Sequence, residues 1–209
     1  MEFLNNSHHD RTEQIEIIAG AVESAFWALL TFILSFGSTL IEKYQKIDIP
    51  DILEVIIVIF IYAGLFLSAR FKLYYKFWWW DDLLHTLSGI IMGFIGFIVI
   101  YKINYRYSMD ISPVLVALFS FTFAITLGVF WEILEFSCDI ITGSANQKWD
   151  LNDTETLMGK PYQGSGLRDT MSDLILDSIG AFVTSLITYY MYKNEKKKTL
   201  EEMKKMIKP

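Results

Sequence analysis

Long apolar runs constrain this chain more than any other feature. About 20 apolar residues in helical form cross a bilayer core, and five stretches come near or exceed that length, at roughly 15–41, 52–69, 83–101, 113–137 and 174–192. In lipid every backbone N–H and C=O must be satisfied within its own element, so such runs form helices and leave no place for an open sheet. Nothing between them reads as a strand pair. The expected fold class is therefore all-α, a polytopic membrane bundle of about five transmembrane helices. It forms a single domain over 1–192 with a basic tail at 193–209. Of the 209 residues 53% are hydrophobic and 16% aromatic, high for a soluble domain.

The first span follows Glu13 and Glu16 and lacks both a positive leader and a small-residue cleavage site, so it is expected to stay in the mature protein. The single cysteine, Cys138, excludes an intramolecular disulfide and a thiolate metal cluster. The tail "KNEKKKTLEEMKKMIKP" carries seven lysines, and the positive-inside rule assigns that end to the cytoplasm. Five spans in the cytoplasmic membrane then put the N-terminus and the loops at 70–80 and 139–169 outside, with Lys43 and Lys102 inside. Arg70, Lys72 and Lys76 run against this assignment. Leu200, Met203 and Ile207 share a helical face, so the tail lies on anionic lipid of the inner leaflet or projects as a solvated helix. The bilayer is the expected partner, and no nucleic acid is. "FWWW" at 77–80 reads as an aromatic belt at headgroup level.

Consecutive spans alternate direction, so the start of the third, the end of the fourth and the start of the fifth share one face of the membrane, joined by the start of the first. Asp81, Asp82 and His85 open the third span; Glu132, Glu135 and Asp139 close the fourth; Asp169, Asp173 and Asp177 open the fifth; Glu16 and Glu23 open the first. The opposite end has no comparable cluster. Spacings of three, four and seven place each set on one helical face, and each face continues into small residues such as Gly89, Gly93, Gly128 and Gly180, which close helix contacts in membranes require. The acids are thus expected to point inward, on the outer side of the membrane.

So many carboxylates raise one another's pKa and cannot all ionise uncompensated. Either a divalent ion such as Mg²⁺, Mn²⁺ or Zn²⁺ neutralises them, or several stay protonated and titrate. The candidate metal ligands are Asp82, His85, Glu132, Glu135, Asp139, Asp169, Asp173, Asp177 and Glu23; the candidate catalytic groups are His85, Glu132, Glu135 and Arg168. Capping is the competing explanation for Asp81, Asp169 and Asp173, with Thr170 and Asp173 forming a capping box. It does not account for Glu23, Glu132, Glu135 or Asp177. The loop 142–168 is long for a connector and lies over the cluster as a candidate lid, with Trp149 and Tyr162 as contact groups. Phosphate-loop and serine-elbow patterns are absent from the sequence.

"WDDLLHTLSGIIMGFIG", "GVFWEILEF" and "GLRDTMSDLILDSIGAF", in that order over roughly residues 78–185, resemble the YjdF-like bacterial inner-membrane proteins of unknown function and, more distantly, the VanZ-like family associated with glycopeptide resistance. The resemblance implies a bacterial cytoplasmic-membrane protein in which Asp82, His85, Glu132, Asp169, Asp173 and Asp177 fall at family-pattern positions. It departs from the VanZ-like pattern at Asp177, where that family usually has asparagine.

Three functions fit these residues. One is a divalent-metal-dependent enzyme acting on an envelope lipid or lipid-linked phosphate, with Arg168 holding an anionic headgroup. Another is a cation- or proton-coupled transporter or channel using the carboxylates as a relay. The last is a non-catalytic membrane protein that confers resistance or binds a partner.

Overall fold

The structure, a computed structural model, describes residues 21, 25–45, 51–143, 145–148 and 165–207. Among these residues the regular elements are all helical, as expected. The chain separates into two compact units, Met1–Trp80 and Asp81–Pro209.

In the first unit, α1 covers Ala25–Ser35, and α2 follows at Gly37–Gln45 after a turn at Phe36. Over residues 25–41 the first expected span is therefore divided between two short helices. Thr31 and Ser35 turn their hydroxyls onto the carbonyls of Trp27 and Thr31, each at 2.7 Å, so these polar groups are satisfied inside the helix. Phe26, Leu29, Phe32 and Ile33 are left exposed, as on a helix bathed in lipid.

The second expected span is helical from Asp51 to Phe71 but changes pitch on the way. Helix α3, Asp51–Ile61, opens with Asp51 and Glu54 at the positive end of its dipole. It passes into a π-helical stretch at Tyr62–Leu67 and then α4, Ser68–Phe71. The wider turn takes carbonyls off the usual ladder, and side chains take them up. Ser68 Oγ donates to the Ala63 carbonyl at 2.8 Å, and the hydroxyl of Tyr74, on α5 (Leu73–Lys76), donates to that of Gly64 at 3.1 Å. Trp80 Nε1 donates to Ser68 Oγ at 2.7 Å. The aromatic run thus divides its work: Trp78 is exposed, as an interfacial anchor is, while Trp80 is held against the π turn.

The second unit is built on α6 (Trp80–Tyr107), α7 (Pro113–Thr142) and α8 (Ser165–Ile207). Each is long and apolar enough to cross a membrane, and among the described residues these three alone are. Ser112 caps α7 by accepting from the Leu115 N–H at 3.2 Å, with Pro113 in the first turn. Gly143, in the left-handed conformation with φ 71°, ends it. Helix α8 begins well ahead of Leu174 and continues without interruption to Ile207, so the fifth span and the lysine-rich tail are one helix.

Helices α6 and α8 meet backbone to backbone. A Cβ at Gly89 would lie 2.9 Å from the Ala181 nitrogen, and one at Gly180 would lie 3.0 Å from the Ile90 nitrogen; only hydrogen at both positions permits this approach. Gly93 packs on Thr184, whose hydroxyl donates to the Ile90 carbonyl at 3.2 Å, and Gly96 packs on Phe123 of α7. Away from the acidic end, Ile100, Ile111, Val116 and Tyr192 form a buried cluster. There Asn104 donates to the Tyr192 hydroxyl at 2.8 Å and accepts from the Ile111 N–H at 3.2 Å, while Lys196 pairs with Asp110 at 2.7 Å. The α6–α7 connection is thereby fastened to α8.

Candidate functional site

The packing of Gly89 on Ala181 fixes the register of α6 against α8 so that His85, one turn before Gly89, meets the acids of α8. His85 Nδ1 lies 3.3 Å from Asp177 Oδ2, and Ser88 Oγ donates to the other oxygen of Asp177. The same carboxyl fills the space beside Gly128 on α7, where a Cβ would lie 3.3 Å from Asp177 Cγ. The far nitrogen of the ring, Nε2, lies 3.7 Å from Asp81 Oδ1 and 3.7 Å from Asp173 Oδ2. His85, Asp173 and Asp177 are only 8%, 2% and 3% exposed.

Two carboxylates of this site are buried with little hydrogen bonding. Asp173 Oδ2 is inaccessible and without a hydrogen-bond partner among the described residues, and both oxygens of Glu132 are inaccessible, with Thr170 beside them. Glu132, on α7, is 5% exposed and near enough to His85, Asp169 and Asp177 to interact with their charges. Burying such groups unpaired is costly, so they mark where a compensating partner fits.

One compensating charge comes from the loop. Asp139 accepts from the backbone N–H groups of Asn146 at 2.8 Å and Gln147 at 3.0 Å, and Gln147 Nε2 donates to Thr170 Oγ1 at 2.7 Å. This turn places Lys148 between Asp81 Oδ2 and Asp169 Oδ1, the latter at 2.7 Å. Burial works against the ammonium, but Asp81 and Asp169 outweigh it and hold its pKa above the ordinary lysine range. Lys148, together with His85 when protonated, is what these elements set against the carboxyl groups of Asp81, Asp169, Asp173, Asp177 and Glu132.

The donor set fits a divalent ion. Asp81, His85 and Asp173 each offer one ligand atom, and these atoms lie within 4.8 Å of one another. Ligands bound to one ion at about 2.0–2.2 Å stand roughly 3–4 Å apart, close to the separations around Nε2. Asp177 on Nδ1 supplies the orienting carboxylate that metal-binding histidines usually have.

The residues singled out in the sequence divide accordingly. His85, Glu132, Asp169, Asp173 and Asp177 come together. Asp82 does not reach His85 in any of these contacts; Asp81, one turn before His85 at i, i+4, takes the place expected for it. Glu135 accepts from Trp131 Nε1 on its own helix at 2.8 Å and also lies near enough to Glu132, His85 and Asp81 to interact with their charges, and Asp139 organises the turn. Arg168 makes none of these contacts, and Lys148, which the sequence did not single out, supplies the cation instead. Helix α8 begins at Ser165, so Thr170 and Asp173 lie inside it and do not form the expected capping box. Glu23, Trp149 and Tyr162 lie outside the described residues.

These elements define a polytopic helical membrane protein with a histidine–carboxylate site where three helices converge. Over residues 15–194 the chain matches the family described as "Predicted membrane protein (DUF2238)", and it belongs to that family. The match extends through the first two apolar segments, beyond the motifs at 78–185. The YjdF-like resemblance agrees loosely with this membership, and the VanZ-like one gains no support from it. The chain is also similar to an uncharacterized protein of Thermotoga maritima, 23% identical over 173 residues, which cover 83% of this chain and 80% of that protein. No solved structure matches.

Proposed function

We propose that this protein is a divalent-metal-dependent membrane enzyme acting on an envelope lipid or lipid-linked phosphate. The observation that carries the reading is the two-sided use of His85: Nδ1 faces Asp177, while Nε2 faces Asp81 and an otherwise unpartnered Asp173 oxygen. Three protein ligands leave coordination positions open, which distinguishes catalytic from structural sites. A bound ion would supply Lewis acidity toward a phosphoryl oxygen and lower the pKa of water. Asp81, His85 and Asp173 would hold it, Asp177 and Ser88 fix the imidazole, and Glu132 accept a proton from water. The lysine-rich end of α8 would sit at the anionic inner leaflet, and the acidic site would then lie toward the outer face.

A transport role has less support. Directly beyond Asp177, α6 and α8 close on each other at Gly89 and Gly180, and the buried hydroxyl of Thr184 is committed to the Ile90 carbonyl. Protein in detergent, supplied with Mn²⁺ and a polyprenyl pyrophosphate, should release inorganic phosphate and cease to do so on Glu132→Gln. Phosphate release that EDTA leaves unaffected, or that persists undiminished in Glu132→Gln, would contradict this assignment.

A further inference from the structure

Asp81 uses its two oxygens in different directions. Oδ1 faces His85 Nε2, and Oδ2 is held by Lys148, which also holds Asp169 Oδ1. A carboxylate shared in this way is how two-ion sites bridge their metals, about 3.5–4 Å apart. The position on the Asp169 side is occupied here by an ammonium on a tightly specified turn. Asp139 pins the turn through Asn146 and Gln147, Gln147 is tied to Thr170, and Lys148 itself has φ 47°, a left-handed conformation that persists only where surroundings enforce it. The other position, between Asp81, His85 and Asp173, keeps a buried, unpartnered carboxylate oxygen directed into it.

We propose that Lys148 is the built-in second cation of this site: it takes the place of a second divalent ion between Asp81 and Asp169 and so limits the protein to one. The inference rests on the reading of Asp81, His85 and Asp173 as an ion site. Removing the ammonium leaves the Asp81 and Asp169 oxygens that it held without a cation, and a second divalent ion is the matching replacement. Arginine keeps the charge and therefore the one-ion limit.

The test is titration of the full chain in detergent with Mn²⁺, followed by calorimetry and electron paramagnetic resonance. Wild type and Lys148→Arg should saturate at one ion per chain, and Lys148→Gln at two, with a spin-coupled signal from the pair. Two ions in wild type, or a second ion in Lys148→Arg, would overturn the proposal without depending on how well Lys148→Gln folds. One ion in all three proteins would overturn it while leaving the ion-site reading intact. No binding in any of them would remove both.

Discussion

Asp177 holds His85 from α8, with Oδ2 3.3 Å from Nδ1, and thereby decides which nitrogen of the ring is left for other work. With Nδ1 set against Asp177, Nε2 is the nitrogen that faces Asp81 and Asp173, and it is the one placed to ligate an ion once it gives up its proton. Asp177→Asn preserves the shape beside Gly128 but removes the charge that fixes the ring. It should weaken Mn²⁺ or Zn²⁺ binding by about 10–100-fold, the usual cost of losing such a partner, as measured by calorimetry. An unchanged affinity would mean that Asp177 only fills space.

Glu132 is buried among neighbouring acids, with Thr170 as its polar neighbour. Glu132→Gln should therefore raise thermal stability in detergent while lowering turnover by about 10²–10⁴-fold, the range for loss of a general base, in the pattern of a strained functional group. Lower stability with full activity would place Glu132 in the structural framework instead.

The register of α6 against α8 depends on Gly89 and Gly180. A side chain at Gly89 meets the Ala181 nitrogen and Asp177 backbone of α8, whereas Gly37 has nothing within 4 Å of its would-be Cβ. Gly89→Val should destabilise the protein by about 1–3 kcal/mol or more, as overpacking does, and should disturb ion binding because His85 moves with α6. Gly37→Ala should leave ion binding unaltered and thermal stability within about 1 kcal/mol of wild type. Comparable losses in both variants would undermine the α6–α8 contact.

How far the sequence could be read follows from where each signal was local. Apolar runs are intrinsic to a segment, so the all-helical class and the positions of α6, α7 and α8 were legible. The interruptions at Phe36 and Tyr62–Leu67 were not, because a break or a π turn leaves hydropathy unchanged. The gathering of His85, Glu132, Asp173 and Asp177 followed from antiparallel spans and small-residue faces. The choice between Asp81 and Asp82 did not, since i, i+4 and i, i+3 share a face and only the helix start separates them. Lys148 was not legible because a loop lysine carries no periodicity; Asp139 reads in sequence as a ligand, though in the fold it shapes the turn that delivers that lysine. The buried Tyr192–Asn104 contact at the other end was likewise invisible to spacing.

Lys148 gives a pH dependence of defined sign. Its pKa is raised in the folded protein by Asp81 and Asp169, against the opposing effect of burial. A raised pKa means that the contribution is fully present below the ordinary lysine value of about 10.4 and is lost as pH climbs through the higher folded value. The melting-temperature difference between wild type and Lys148→Met should stay constant between about pH 7 and 10 and shrink only above that. A difference that vanished between pH 7 and 9 would show that the ammonium is not held by these carboxylates.

Whether Asp81, His85 and Asp173 hold an ion is tested most directly by the metal content of purified protein, measured by inductively coupled plasma mass spectrometry. Protein purified without chelator and equilibrated with Mn²⁺ or Zn²⁺ should retain about one ion per chain, and Asp173→Asn and His85→Ala should retain almost none while still eluting as folded protein. A wild-type protein that binds no stoichiometric divalent ion, or one whose ion survives both substitutions, would contradict an ion site there.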